Sequence, residues 1–202
     1  MELLTQLMKV PSAALCLFAL FFLLVALLKI KQVRLSVSMA ASSGLMLAMA
    51  VILTAFPFYR MPNGGSVTLG GMLPLFFISF AYGPEVGMLA GFAYSLMNLV
   101  MAPYILHPVQ VLFDYPLPFM ALGLAGCFPR HHMAGITAAV AVRLFFHFLS
   151  GVVFFGSYAP AGTSIYLYSF VTNLTYLLPN LVICLVFYRL LPVARFLSLM
   201  KR

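Results

Sequence analysis

The sequence predicts an all-α integral membrane protein, a bundle of seven apolar helices, on three observations. Of its 202 residues, 64% are hydrophobic and only 7% charged, whereas soluble domains carry roughly a quarter charged residues. The mean hydropathy is +1.12, more apolar surface than a soluble core can hide. Several stretches reach the length of about 20 apolar residues needed to cross a hydrocarbon layer of roughly 30 Å.

The first apolar segment runs over 12–28, with Lys9 before it and Lys29, Lys31 and Arg34 after it. The positive-inside rule then puts the N-terminus outside and the basic cluster inside. A cleaved leader would carry its charge before the apolar run and a small-residue site after it. Lys29-Ile30-Lys31 is no such site, so the segment is read as a helix.

Six further segments follow at 36–56, 67–81, 86–102, 108–128, 134–156 and 167–192, with Pro or Gly in most of the gaps. The short segments at 67–81 and 86–102 are expected to tilt or partly re-enter. With the cluster inside, the loop 129–133 and the tail beyond 189 fall inside too. They hold Arg130, Arg189, Arg195, Lys201 and Arg202, while the outer loops hold only Arg60. The C-terminus is therefore expected in the cytoplasm.

The net charge of +8 does not point to nucleic acid, because the basic residues are scattered over loop positions and no exposed module carries them. Cys16, Cys127 and Cys184 are far apart, without metal-ligand spacing, and are read as small hydrophobic residues. No metal site or cofactor is expected. The loops leave no room for a nucleotide-binding domain and no P-loop is present, so any ATP-driven transport would require another chain. The paired halves usual in a proton-coupled carrier are also missing.

Two opposite charges sit deep in the predicted spans, Asp114 and Arg143. Charges in lipid cost about 2.5 to 3.5 kcal/mol on insertion scales, so each needs a partner or a function. Two readings stay open: the residues pair with each other, or Asp114 is the counter-ion of a cationic ligand. Both hold if the ligand competes with Arg143.

Around Asp114 lie Tyr104, His107, Gln110 and Tyr115. Pro108, Pro116 and Pro118 break regular helix there and free backbone carbonyls. Arg143, His147, Gly151 and Phe155 form one stripe at i, i+4 spacing, with Gly151 permitting close approach. Asn173, Tyr176 and Asn180 form another, which packing alone would also explain. With Tyr94 and Tyr168, the outer half offers an aromatic cage around one carboxylate, suited to a flat organic cation. A lone buried acid gives hydrolytic or acid–base catalysis little to work with, so an enzyme is not expected.

The strings HPVQVLFDYPLPF at 107–119, ALGLAG at 121–126 and HFLSGVVFFGSYAP at 147–160 resemble the thiamine-specific S-component of energy-coupling-factor (ECF) vitamin transporters, their substrate-binding membrane subunit. The likeness extends over roughly residues 36–192, including PNGGSVTLG at 62–70 and the segment 168–179. It implies a six-helix S-component bundle over 36–202. Residues 1–35 are then an extra N-terminal transmembrane helix with a basic linker.

The resemblance implies thiamine capture near the outer surface, with Asp114 at the position of a ligand-binding carboxylate. His147 and Asn173 stand at polar contacts, Tyr104, Tyr115 and Tyr168 at aromatic ones, and Gly151 at a close-approach site. Tyr94 and Phe155 occupy places where family members can carry tryptophan, and this chain has none. The implied partners are a transmembrane coupling subunit and two ATPase subunits in the plasma membrane of a prokaryote. Ala40, Gly44 and Ala48 offer a small-residue docking seam, which ordinary intramolecular packing would equally explain. The alternative function is a stand-alone secondary carrier or channel for an organic cation.

Overall fold

The computed structural model describes residues 11–30, 33–62 and 65–201. The readings placed on Lys9, Lys31, Arg202 and the 63–64 part of the first outer loop lie outside these residues. The helices are α1 (Pro11–Ile30), α2 (Val37–Ala55), α3 (Leu73–Tyr82), α4 (Pro84–Met101), α5 (Pro108–Asp114), α6 (Pro116–Ala121), α7 (His132–Phe154), α8 (Ile165–Leu190) and α9 (Val193–Met200). A hairpin of β1 (Tyr59–Arg60) and β2 (Ser66–Val67) follows α2. Among the described residues, four segments are long and apolar enough to cross a membrane: Val37–Ala55, Pro108–Cys127, His132–Phe154 and Ile165–Leu190.

The segment expected at 67–81 is corrected by this architecture. Its first residue, Val67, pairs in β2, and helix begins only at Leu73, giving α3 10 residues, about 15 Å of rise. That is half a membrane crossing. Nearly every side chain of α3 is buried, so its apolar character on all faces reflects a core helix rather than a lipid-facing one. Gly83 ends it at φ 92°, a left-handed conformation that glycine tolerates, and its N–H caps Ser79 O. Pro84 then opens α4 at a position where a missing N–H costs nothing.

The segment 108–128 is also not one helix. Proline disfavours helical geometry in the residue before it, and Tyr115, preceding Pro116, leaves the helix at φ −118°, ψ −82°. The chain restarts as α6 and tightens into a 3-10 helix, Leu122–Cys127. This broken segment packs against α3, α4 and α7, and glycines bring its backbone very close to α4. A Cβ on Gly91 would collide with the Phe119 carbonyl, and one on Gly87 would lie 2.9 Å from Gly123 Cα.

The first helix, α1, is docked on the bundle. Ala19 is fully covered, Phe18 stacks on Phe113 at 6.5 Å, and Phe22 meets Phe146 edge-on at 6.0 Å. At the end of the bundle where α2 begins, the Tyr82 hydroxyl donates to Met200 O and lies 2.6 Å from Ser42 Oγ. His132 Nδ1 bonds the Tyr188 hydroxyl at 2.7 Å and its ring stacks on Phe80 at 4.0 Å. These contacts gather the start of α2, the end of α3, the start of α7, the end of α8 and all of α9. Arg34, Arg130, Arg189, Arg195 and Lys201 therefore cluster at one end of the molecule.

Candidate ligand-binding site

At the opposite end lies a cavity of about 430 Å³. Its walls come from the β hairpin, the ends of α2 and α4, the loop 102–107, the break at Tyr115, and the facing sides of α7 and α8. The break turns Asp114 and Tyr115 in different directions. The Tyr115 hydroxyl donates to Ala102 O at 2.9 Å and accepts from Tyr104 N at 2.8 Å. It thereby closes the loop that carries Tyr104.

Asp114 is held on two sides. Gln110, one turn earlier, donates Nε2 to Asp114 Oδ2 at 2.5 Å. The same amide donates to Tyr104 O at 3.1 Å and accepts from Leu106 N at 3.0 Å. Gln110 is therefore satisfied at zero exposure and fixes the carboxylate. Oδ1 faces His147 Nδ1 at 3.3 Å. If that nitrogen carries the proton, His147 Nε2 is an acceptor. It is buried in the cavity wall without a partner among the described residues.

The pairing of Asp114 with Arg143, one of the two readings left open by the sequence, is not made. Among the described residues the basic side chain that contacts the Asp114 carboxylate is His147, at 3.3 Å. Both basic residues project from α7 one turn apart, and His147 is the one that reaches the carboxylate. The Arg143 guanidinium instead lies over the Phe119 ring, with Cζ 4.1 Å from its centroid.

All nine residues expected to contact a ligand line this single cavity, though not all are equally available. Tyr94 donates its hydroxyl to Thr54 Oγ1 at 2.6 Å and sets its ring edge on Phe119 at 4.8 Å. It is a wall that ties α4 to α2. Asn173 donates to His147 O at 3.2 Å and Ser169 O at 2.9 Å, and accepts from the Tyr176 hydroxyl at 3.1 Å. Its amide is thus engaged between α7 and α8. A Cβ on Gly151 would strike Ser169 Oγ and lie 3.3 Å from Asn173 Nδ2, so this glycine sets the helix spacing that positions Asn173. Tyr104 stacks on Phe155 at 5.8 Å, extending an aromatic wall to the rim, where Tyr168 also stands.

The sequence reading missed how the hairpin is held over the cavity. Asn180 Oδ1 accepts from Thr68 N at 3.0 Å and from Thr68 Oγ1 at 3.1 Å. Its Nδ2 donates to Ser66 O at 2.7 Å and Tyr176 O at 2.8 Å. Gly65, at φ 72°, sits on the Tyr176 ring, where a Cβ would approach to 2.8 Å. Thr54, Arg60 and Asn98 also line the cavity. Asn98 carried a usable signal, since it follows Tyr94 at i+4 on one face of α4.

Asn180→Ala is expected to lower stability by about 2 to 3 kcal/mol, because buried backbone groups at Ser66 and Thr68 lose their partners. The thermal melting temperature in detergent measures this. An unchanged value would mean that the hairpin is anchored elsewhere.

The sequence profile of the thiamine transporter protein family (Thia_YuaJ) matches residues 40–199, a span that begins after α1. The thiamine transporter ThiT of Bacillus subtilis (strain 168) is 37% identical over 159 residues, covering 69% of this chain and 82% of its own. ThiT of Lacticaseibacillus paracasei is 29% identical over 123 residues, covering 51% of this chain and 61% of its own. A solved structure of ThiT from Listeria monocytogenes superposes with a TM-score of 0.71 at 23% identity, over 80% of this chain and 96% of that one. At that identity the likeness establishes the fold.

Proposed function

We propose that this chain, which belongs to the thiamine transporter protein (Thia_YuaJ) family, captures thiamine in the cavity around Asp114 as the substrate-binding subunit of an ECF-type importer. Members of this family are multi-pass bacterial membrane proteins that transport rather than transform their substrate. The observation that carries the proposal for this chain is the carboxylate itself. Asp114 is the only acidic residue lining the cavity among the described residues, and it is oriented by Gln110 and His147.

Thiamine joins a positively charged thiazolium ring to an aminopyrimidine and a hydroxyethyl arm. The thiazolium charge complements Asp114. The free His147 Nε2 suits an amino N–H, and the faces of Tyr104 and Phe155 suit a flat ring. The cavity volume, about 430 Å³, falls within the range of about 300 to 1,000 Å³ usual for small-molecule sites.

Coupling to separate ATPase subunits through a transmembrane partner is supported by two features of the chain. It carries no P-loop. The Ala40, Gly44 and Ala48 stripe is exposed on α2, and a Cβ on Gly44 would meet nothing within 4 Å. That open face favours a docking seam over packing within the chain. In this reading the basic end of the bundle faces the cytoplasm, with the C-terminus, and the cavity faces outward.

Titration of the purified chain with thiamine is expected to give saturable binding and a raised melting temperature. Reconstituted alone, the chain should accumulate no thiamine. With coupling and ATPase subunits, uptake should require ATP. Gly44→Leu should retain thiamine binding and lose that uptake. Potential-driven uptake by the chain alone would replace the importer reading with a secondary carrier.

A further inference from the structure

Arg143 is 8% exposed and lies one turn deeper along α7 than His147, in the wall of the same cavity. Its Nε and Nη1 are buried with no hydrogen-bond partner among the described residues. A guanidinium cannot shed its proton at ordinary pH and offers only donors. Burying one unpaired is among the most unfavourable things a fold can do. The Phe119 ring satisfies one face of the group but leaves the N–H edge unanswered. Its electrostatic neighbours Tyr94, Tyr176 and Cys184 bring no formal negative charge, and Asp114 is engaged by Gln110 and His147.

The charge balance of the cavity gives this edge a meaning. Its buried walls carry one formal negative charge, Asp114, and one formal positive charge, Arg143, while Arg60 stands exposed on the hairpin. A monovalent cation entering beside Asp114 therefore leaves an uncompensated positive charge in a poorly solvated space. The cavity becomes neutral again if an anion enters with it.

We infer that the unpaired edge of Arg143 is an anion subsite beneath the cation site, filled by a small anion when the cation binds. The anion is either a free halide such as chloride or a phosphate carried on the ligand's own tail. This inference rests on the cation-binding reading of the cavity.

The test measures thiamine affinity of the purified full-length protein by calorimetry in sodium chloride and in sodium gluconate at equal ionic strength. Wild type is expected to bind thiamine roughly tenfold more tightly in chloride, since an added anion near a buried cation is weakly screened. In Arg143→Met the two salts should give the same affinity, and Arg143→Lys should restore part of the difference. Thiamine monophosphate brings its own anion. It should bind wild type equally in both salts and lose affinity in Arg143→Met. A salt dependence with thiamine identifies the free anion, and an Arg143 dependence confined to the monophosphate identifies the tethered one.

Equal thiamine affinity in both salts, together with undiminished monophosphate binding by Arg143→Met, would overturn the subsite. Should Arg143→Met fail to fold, the wild-type ratio and Arg143→Lys decide the question. Absence of thiamine binding in either salt would instead defeat the cation-binding reading, taking the subsite with it.

Discussion

Replacing Asp114 by alanine is expected to weaken thiamine binding by about 3 kcal/mol, roughly a hundredfold in Kd, because a buried charge partner of the ligand is removed. Three features of the site set that size. The carboxylate lies in a cavity bounded largely by protein, where charge interactions are screened less than in water. It is already oriented, by the Gln110 amide at 2.5 Å and His147 Nδ1 at 3.3 Å, so little ordering remains to oppose binding. Among the described residues no second acid lines the cavity to replace it. Asp114→Asn separates charge from shape. It keeps the size of the side chain and one acceptor oxygen, for Gln110 or His147 but not both, and loses the negative charge, so it should lose most of the same affinity. An asparagine variant that binds like wild type would assign Asp114 to positioning His147 alone.

The second large effect is on the fold. Gly123→Val is expected to destabilise the bundle by about 3 kcal/mol or more, the upper range for overpacking. A Cβ at Gly123 would overlap Met88 N and approach Gly87 C to 2.7 Å and Met88 Cα to 2.8 Å. These are backbone atoms of α4 and cannot rotate away. The 3-10 helix and α4 would have to separate, and the broken segment that carries Asp114 would move with them. Loss of a monodisperse peak and of a cooperative melt would register this. Gly44→Ala, facing open space, is the matched control and should melt like wild type. A Gly123→Val protein with wild-type melting would mean that the two backbones are not in contact.

Local chemistry was readable from the sequence, and long-range partnership was not. The i, i+4 stripe put His147 and Gly151 on one face of α7 with Phe155 just past its end, and Pro116 announced the break at Tyr115 directly after Asp114, while Pro118 falls within α6 and breaks nothing. These features depend on neighbours within a turn or two. The α9 helix after Pro192 was equally local and was passed over as a tail, although Val193, Phe196, Leu197 and Met200 recur at helical spacing.

What could not be read depends on residues far apart in the chain. The Asn180 clamp reaches back to Ser66 and Thr68, more than a hundred positions away. Nothing in the polar stripe of α8 distinguishes it from helix glue. The choice of Asp114 between Arg143 and His147 depended on a register between α5 and α7 that periodicity leaves free. The ring of Phe119, which receives the guanidinium, looked like any other apolar residue. The start of α3 was misplaced because 67–72 is as apolar as a helix but is drawn into the hairpin and the Gly70–Gly71 turn.

The most direct measurement is a structure of the full chain determined with thiamine. The account predicts the thiazolium ring within about 6 Å of the Asp114 carboxylate, the reach of a direct charge interaction, with a ring face against Tyr104 or Phe155. Thiamine bound outside this cavity, or an Asp114 that turns to Arg143 and leaves the cation without a counter-charge, would contradict it.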